Sequence, residues 1–230
     1  MKAMVLAAGR GKRMQPLTDK LPKPLLTVND KPLIIYHLEK LAQCGITEIV
    51  INHAWLGEKI EHALGRGQRW GVNISYSAET EGGLETAGGI INALPLLGDA
   101  PFLLINGDVW TDMDYGLLPR TLKPGDVGHL LMTANPPHHP SGDFGIDGDR
   151  LCHAGTAQQT RTYTGIGLFA PQWFSGRPVE KLPLRPLFEE AINSQSMAAS
   201  MLPAKQWWDV GTPQRLAQLD NYLRGLHDLG

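Results

Sequence analysis

The stretch LAAGRGKRMQPLTDKLPKPL occupies residues 6–25 and decides the expected fold. It follows a short apolar run at residues 2–6, so the break after that run is typical of a buried strand that ends in a loop. Gly9 and Gly11 permit backbone dihedral angles and a close ligand approach that other residues do not. The cations of the stretch are Arg10, Lys12, Arg13, Lys20 and Lys23. Flexible backbone amides and clustered cations at the carboxyl end of a strand suit a polyphosphate ligand.

The spacing within this loop excludes two commoner phosphate-binding loops. Met14 stands where a dinucleotide-binding fingerprint needs its third glycine. No Gly-Lys-Ser/Thr follows, so the loop is not a Walker loop either. The two glycines alone would fit a tight turn equally well, and the interpretation therefore depends on the longer string around them.

Apolar runs alternate with helical patterns through the first half of the chain. Strands are predicted at residues 2–6, 25–28, 48–52, 73–77 and 102–106, and helices at residues 33–44, 55–64 and 86–94. Strands that alternate with helices of this length imply parallel pairing through right-handed crossovers. We therefore expect a doubly wound, Rossmann-like α/β fold with a mostly parallel sheet.

The second half of the chain is less regular. Its predicted elements are strands at residues 128–133 and 163–169, a hairpin at 144–151 around Asp147-Gly148, a loop at 136–145, and helices at 184–192 and 213–223. We expect these to extend one sheet and wall a pocket, which makes residues 1–230 a single domain. No hexapeptide repeat follows Gly211, so no β-helix extension is expected.

Charge and cysteine usage narrow the class of ligand and the compartment. The formal net charge of the 230 residues is -2, whereas a nucleic-acid binder usually presents a broad basic face. We therefore expect a small anionic ligand and neither nucleic acid nor membrane as a partner. Cys44 and Cys152 form no C-x-x-C pair, which indicates free thiols in a reducing compartment. With no visible signal peptide or membrane span, a cytoplasmic protein is expected.

The full string G-x-G-x-R-M-x-P-L-T from Gly9, followed by P-K-P at residues 22–24, resembles the signature of the sugar-1-phosphate nucleotidyltransferases. The resemblance implies transfer of a nucleotidyl group from a nucleoside triphosphate to a sugar-1-phosphate, with Mg²⁺ as cofactor and pyrophosphate as the leaving group. We expect the nucleotide-binding part at about residues 1–112 and the sugar-binding part at about residues 113–230. A monomer or small homo-oligomer is expected.

The resemblance also assigns roles within the loop. It puts Arg13 on the β- and γ-phosphates, where a planar fork of donors suits phosphate better than an ammonium does. It makes Lys23, held in an extended segment between two prolines, the point charge at the reacting phosphates. The remaining loop residues expected at the nucleotide are Ala8, Gly9, Gly11 and Lys12. The alternative for each cation is an ordinary solvated side chain.

Two aspartates are expected from the resemblance to hold Mg²⁺. Asp108 follows the apolar run at residues 102–106, and Asp209 lies in the W-D-V-G-T run at residues 208–212. Two hard carboxylates together with phosphate oxygens and water fit Mg²⁺ well. The alternatives are that Asp108 sits in a turn or caps a following helix, and that Asp209 or Thr212 caps the last helix.

Further residues are expected at the base and the sugar. The family uses the loop equivalent to residues 85–89 (ETAGG) against the nucleobase, although Thr86 could instead cap a helix. The nucleotide contacts expected here are Glu85, Thr86, Gly88 and Asn106. The sugar contacts expected are Asn106, Asp143, Thr164 and Gly165.

Within the family, the segments NHAWLG, LLINGDVWTD and NPPHHPSGDF are similar to the branch that uses UTP and N-acetylmuramate-1-phosphate in bacterial cell-wall recycling. Mannose-1-phosphate guanylyltransferase is the nearest alternative. Muramate carries a lactyl carboxylate that needs a donor, because a buried unpaired carboxylate is costly. The donors considered are His138, His139, Arg150, Arg161 and backbone amides, and the sequence does not choose among them.

Two readings from other classes stay open. The D-M-D run at residues 112–114 matches the metal motif of many glycosyltransferases. A non-catalytic nucleotide-sugar sensor on the same fold is the other alternative, although such proteins usually lose the loop cations or a metal carboxylate. All four of those residues are present here, namely Arg13, Lys23, Asp108 and Asp209.

Overall fold

The computed structural model describes residues 1–80, 82–203 and 205–227. Its strands are β1 Ala3–Leu6, β2 Thr27–Val28, β3 Lys31–Pro32, β4 Glu48–His53, β5 Asn73–Ala78, β6 Phe102–Asn106, β7 Val109–Thr111, β8 Gly128–Thr133, β9 Phe144–Asp147, β10 Arg150–Cys152, β11 Thr160–Phe169, β12 Met197–Met201 and β13 Trp207–Asp209. Its α-helices are α1 Leu33–Gln43, α2 Gly57–Leu64, α3 Glu85–Leu97, α4 Arg185–Asn193 and α5 Pro213–His227.

Within the described residues, nine strands form one sheet in the order β5-β4-β1-β6-β11-β8-β12-β10-β9. The first four are parallel to one another, and β12 is parallel to β8. However, β11 runs antiparallel to both of its neighbours, β6 and β8. The sheet is therefore mixed, and the prediction of a mostly parallel sheet is wrong beyond β6.

The second half of the sheet closes on itself. Strand β9 pairs with β10 as a hairpin and also with β11, so β11, β8, β12, β10 and β9 form a ring. The predicted hairpin around Gly148 is confirmed, with Asp147 opposite Arg150. The strands of this ring belong to the same sheet as the parallel strands, and they form one wall of the site described below.

Helices cover both faces of the parallel strands. On one face, α1 and α2 pack against the side of β1 that carries Ala3 and Val5. On the other face, α3 and α4 pack in one core with Met4 of β1. Burial of these apolar faces is the main stabilising term. No helix within the described residues is long and apolar enough to cross a membrane, and Cys44 and Cys152 are both free.

A small accessory unit lies at the carboxyl end of the parallel strands. Strands β7 and β13 pair antiparallel with Asp209 opposite Val109, and α5 packs with β2 through a separate apolar core. The predicted strand at residues 25–28 is shorter than expected, because Lys23–Leu25 is a 3-10 turn. The pairing of β7 with β13 brings two distant parts of the sequence to one edge.

Burial of His37 predicts a specific pH dependence of stability. The side chain is fully buried on α1, and its Nδ1 lies 2.7 Å from the hydroxyl of Tyr115. Burial lowers the pKa of His37 to about 4, whereas an unfolded histidine titrates near 6.5. Below that pH the unfolded chain binds a proton that the native state does not, so stability falls with acidification. Between pH 7 and pH 5 this contributes a loss of about 2 kcal/mol.

Urea unfolding of the wild type and of His37→Gln, each at pH 7 and pH 5, measures this term. The glutamine variant keeps a polar partner for Tyr115 but does not titrate. Its free energy of unfolding should therefore fall less on acidification than that of the wild type. Equal decreases in the two proteins would contradict a depressed pKa for His37.

Candidate active site

Two clefts meet at the carboxyl ends of β1, β4 and β6. The first is lined by Leu6, Ala7, Ala8, Gly9, Lys23, Pro24, Asn52, Glu79, Gly82, Gly83, Glu85, Thr86, Asn106 and Asp108. The second is lined by Arg13, Asn106, Asp108, Val109, His138, His139, Asp143, Thr162, Tyr163, Thr164, Gly165, Trp207, Asp209 and Arg215. Asn106 and Asp108 belong to both, so these two residues form the junction of the clefts.

The glycines of the first loop have different roles. Gly9 lines the first cleft, and no atom lies within 4 Å of the position that a Cβ would take there. Gly11 has a φ of +65°, and a Cβ there would lie 2.9 Å from Thr18 Cγ2. Its carbonyl accepts a hydrogen bond from the Thr18 hydroxyl. Gly11 therefore supports the conformation of the loop through Thr18. Neither Gly11 nor Lys12 lines one of the two clefts.

Arg10 also serves the loop itself. Its guanidinium donates to the carbonyl of Thr18 and to the carboxylate of Asp19, and it lies 3.8 Å from the centre of the Trp55 ring. The Trp55 indole donates to the same Thr18 carbonyl. Arg10 therefore stabilises the conformation of the loop. Arg13, by contrast, is exposed and lines the second cleft.

Lys23 reaches the junction of the clefts from the first side. Its ammonium Nζ lies 2.5 Å from Asp108 Oδ2, and only 10% of the Lys23 side chain is exposed. The 3-10 turn that begins at Lys23 and the preceding Pro22 fix its backbone. Asp108 keeps 34% of its side chain exposed. The structure thus holds one cation and one carboxylate at the junction, with the carboxylate open to both clefts.

Asp209 stands beside Asp108 because β7 and β13 are paired. The amide of Val210 donates to the carbonyl of Asp108. Asp209 Oδ2 accepts from Arg215 Nη1 at 3.0 Å and lies 3.5 Å from His138 Nε2. Burial, aided by the charge of Arg215, lowers the pKa of His138, so its imidazole is neutral at pH 7.

Arg215 was missed by the sequence analysis. It lies in the first turn of α5, where its amide donates to Thr212 Oγ1. Thr212 therefore caps the last helix, one of the alternatives considered for this run. The guanidinium lies over Gly211, where a Cβ would be 2.1 Å from Arg215 Nη2. The glycine of the W-D-V-G-T run is thus the one residue type that leaves room for this arginine.

The far wall of the first cleft contains a polar pair that was also missed. Asn52 Oδ1 accepts from the amide of Ala7 at 2.9 Å, and Asn52 Nδ2 donates to Glu79 Oε1 at 2.7 Å. Glu79 Oε2 accepts from the amide of Leu84 at 2.7 Å. Gly89 makes room for the pair, since a Cβ there would be 2.5 Å from Glu79 Oε1. The pair ties the ends of β1 and β4 to the loop before α3.

The segment expected at the nucleobase lies only partly in the cleft. Glu85 and Thr86 line it, and Glu85 begins α3 with a φ of +61°. Leu84 precedes the helix without a side-chain cap, so the capping role considered for Thr86 is wrong. Gly88 does not line the cleft: its Cβ position lies 2.1 Å from the carbonyl of Glu180. Gly88 instead packs against the chain near Leu182, whose carbonyl accepts from its amide.

The four residues expected at the sugar all line the second cleft. Gly165 has a φ of +76° at a bulge in β11, and a Cβ there would be 2.6 Å from Asn106 Nδ2. The Thr164 hydroxyl is already used, because it donates to the carbonyl of Leu131. Asp143 accepts from the amide of Tyr163 and lies 3.1 Å from His139 Nε2. Of these four residues, Asn106 is the one that also lines the first cleft.

The N-terminal part of the chain matches a known family. A family model described as nucleotidyl transferase covers residues 2–147. The chain belongs to the nucleotidyl transferase family. The resemblance carried by the signature at residues 9–24 is thereby confirmed, and the D-M-D run at residues 112–114 no longer favours a glycosyltransferase.

Relatives of this nucleotidyl transferase cover nearly its full length. The N-acetylmuramate alpha-1-phosphate uridylyltransferase of Neisseria meningitidis serogroup B is 49% identical over 95% of this chain and 96% of that protein. The protein of the same name from Caulobacter vibrioides is 30% identical over 92% of each. A mannose-1-phosphate guanyltransferase of Hypocrea jecorina is 31% identical over 93% of this chain and 62% of that protein.

The fold recurs in a solved structure. A Bacillus anthracis protein described as a glucose-1-phosphate thymidylyltransferase, crystallised with sucrose, superposes with a TM-score of 0.82. The match covers 97% of this chain and 95% of that chain at 22% sequence identity, so it concerns the fold alone. The overall fold is thus shared with that protein.

Several other candidates of this nucleotidyl transferase lie away from the clefts. Asp112 Oδ1 accepts from the amides of Lys205 and Gln206, and Asp114 Oδ1 accepts from the amide of Gly116. Asp112 therefore ties the end of β7 to the segment before β13, and Asp114 stabilises a local turn. Arg150 pairs with Asp126, and Arg161 donates to Gln159. Neither Arg150 nor Arg161 lines a cleft. Of the side chains considered as donors to the lactyl carboxylate, His138 and His139 are therefore the two that line one.

Proposed function

We propose that the chain transfers the uridylyl group of UTP to N-acetylmuramate-1-phosphate, giving UDP-N-acetylmuramate and pyrophosphate in the recycling of bacterial cell wall. The observation that carries the proposal is the junction of two clefts at Asn106 and Asp108. The 49% sequence identity to the Neisseria relative, over 95% of this chain, supports the choice of substrates.

Each cleft would hold one substrate. The base of UTP would lie against Glu85 and Thr86, and the phosphates would lie near Ala8 and Gly9. All residues that line the first cleft fall within the proposed nucleotide-binding part, residues 1–112. The sugar would occupy the second cleft, whose lining residues other than Arg13 and the junction come mostly from the proposed sugar-binding part, residues 113–230.

The reaction requires no protein nucleophile. An oxygen of the sugar-1-phosphate forms a bond to the α-phosphorus of UTP, while the bond from that phosphorus to the bridging oxygen of pyrophosphate breaks. The chain would hold the two substrates in line across the junction. Lys23 is held at the junction by Asp108, and it would stabilise the negative charge that gathers there during this transfer.

The donor set at the junction fits a divalent metal ion such as Mg²⁺. Asp108 directly precedes β7, Asp209 ends the strand β13 that pairs with β7, and both line the second cleft. Among the residues that the structure describes, no three His, Cys, Asp or Glu side chains form a ready-made metal site. Two carboxylates completed by phosphate oxygens and water are nevertheless a common Mg²⁺ environment. When bound there, the ion would neutralise the phosphate charge.

The planar shape of the Arg13 guanidinium, and not only its charge, is expected to matter for binding phosphate. The exposed side chain of Arg13 lines the second cleft, to which Asn106 and Asp108 also belong. If it grips phosphate through two parallel hydrogen bonds, an ammonium cannot replace it. We expect Arg13→Lys to lower kcat/KM for UTP at least about tenfold, or about 1.4 kcal/mol. Steady-state kinetics of this variant beside Lys12→Arg as a control would measure the effect, and unchanged kinetics in Arg13→Lys would make Arg13 peripheral.

The function is tested by pyrophosphate release over a matrix of substrates. UTP and GTP would each be offered with N-acetylmuramate-1-phosphate, N-acetylglucosamine-1-phosphate and mannose-1-phosphate in the presence of Mg²⁺. The proposal predicts the highest kcat/KM for UTP with the muramate sugar. A preference for GTP with mannose-1-phosphate would replace it with the guanylyltransferase assignment, and no release with any pair would favour the sensor.

A further inference from the structure

We propose that Arg215 is the specificity-determining residue for the sugar, and that its guanidinium, with His138 beside it, binds the carboxylate of the lactyl ether. This inference rests on the proposed function and extends it. It names the feature by which the site would distinguish muramate from N-acetylglucosamine, which lacks that ether and its carboxylate.

Arg215 is a largely buried cation whose hydrogen-bonding groups are only partly paired. Only 13% of its side chain is exposed, and it is held in place over Gly211 and the first turn of α5. Within the described residues its Nε is buried without a hydrogen-bond partner, and its Nη1 is paired with Asp209 alone. A buried guanidinium is costly unless an anion compensates it. Its planar fork is suited to a carboxylate.

Asp209 would be shared between Arg215 and the proposed metal site. Arg215 has this carboxylate as its counter-charge in the structure. Arg215 loses part of that counter-charge whenever Asp209 also serves a divalent cation at the junction. An anionic group on the sugar would restore it, whereas a sugar with a neutral hydroxyl at the same position would not. The arrangement therefore favours a sugar that carries its own negative charge.

Arg215 also lies at a suitable position for a substituent of the sugar. Arg215, His138 and Asp209 lie where the second cleft continues into a third. That third cleft is lined also by Arg13, Pro136, Pro137, Gln206, Trp207, Trp208, Thr212, Gln214 and Gln218, and it does not include Lys23 or Asn106. A substituent that projects from the sugar away from the junction has room there. The phosphate, by contrast, must stay at the junction.

The test compares two sugars in Arg215→Gln. Arg161→Gln is the matched control, because it removes the same charge from a side chain outside the clefts. With UTP, kcat/KM would be measured for N-acetylmuramate-1-phosphate and N-acetylglucosamine-1-phosphate. We expect the preference for the muramate sugar to fall roughly ten- to hundredfold in Arg215→Gln, less in Arg215→Lys and His138→Gln, and not at all in Arg161→Gln.

Binding without turnover gives an independent readout. Calorimetry with UDP-N-acetylmuramate and UDP-N-acetylglucosamine, with Mg²⁺ and no pyrophosphate, should show the affinity difference of the wild type and its loss in Arg215→Gln. An equal loss for both sugars would overturn the inference, because Arg215 would then act through Asp209 or the phosphate. Failure of the wild type to use the muramate sugar would overturn the proposed function itself, before any variant is compared.

Discussion

Replacing Asp108 with asparagine is expected to lower kcat at least about a hundredfold while the fold stays intact, because one metal-binding carboxylate is lost at the junction. The amide keeps the shape of the side chain but carries no charge for a cation or for Lys23, whose Nζ lies 2.5 Å away. We expect the same for Asp209→Asn, whose carboxylate lies on the paired strand. Steady-state kinetics with UTP measure the effect.

Asp112→Asn is the matched control for these variants. Asp112 lies three residues after Val109 but uses one oxygen to accept from two backbone amides, which an asparagine can also do. Its activity should stay near that of the wild type. Near-normal kcat in Asp108→Asn or Asp209→Asn, or full activity in excess EDTA, would contradict the metal assignment.

Lys23→Met is expected to have the second large effect, a fall in kcat of about 10². The variant keeps the apolar stem but removes the cation that is fixed at the junction, and it leaves Asp108 without its partner. Because the effect arises at the reacting phosphates, kcat should fall more than KM for UTP rises.

Lys20→Met is the control for this prediction, since Lys20 is an exposed cation of the same loop. Circular dichroism would show whether both variants fold. A kcat in Lys23→Met within about threefold of the wild type would place the ammonium outside the transition state. An equal loss in Lys20→Met would show that only the total charge of the loop matters.

Hydrophobic periodicity predicted the parallel half of the fold and failed in the other half for identifiable reasons. Strands β1, β4, β5 and β6 are apolar runs separated by helices, and this alternation dictates parallel pairing. No α-helix lies between β8 and β11, so the alternation rule does not apply there. Strand β12 (MAASM) was not predicted, because its small side chains lack the β-branched and aromatic residues that mark a strand.

The cations of the loop illustrate what a motif alone can and cannot predict. The signature correctly indicated the family, but the spacing did not distinguish Arg10, which clamps Thr18 and Trp55, from Lys23, which is buried at the junction. That difference arises from contacts with Trp55, just before α2, and with Asp108, far along the chain. Local sequence carries no signal for such contacts.

The sequence also provided little indication of three residues that line the clefts, namely Asn52, Glu79 and Arg215. Asn52 ends a predicted strand, which is a position that could have marked it as facing the crevice. Glu79 and Arg215 matched no motif, and their importance appears only when β5, α5 and β13 are assembled. The pairing of β7 with β13, across about a hundred residues, depends on tertiary packing rather than on local pattern.

The central claim is that the two clefts form one active site with its metal at the junction. Crystals grown with UDP-N-acetylmuramate and Mn²⁺ test this most directly, through anomalous difference density for the metal. We expect a peak between Asp108 and Asp209, with the uracil at Glu85 and Thr86 and the sugar beside Asn106. A peak elsewhere, or product bound outside the two clefts, would contradict it.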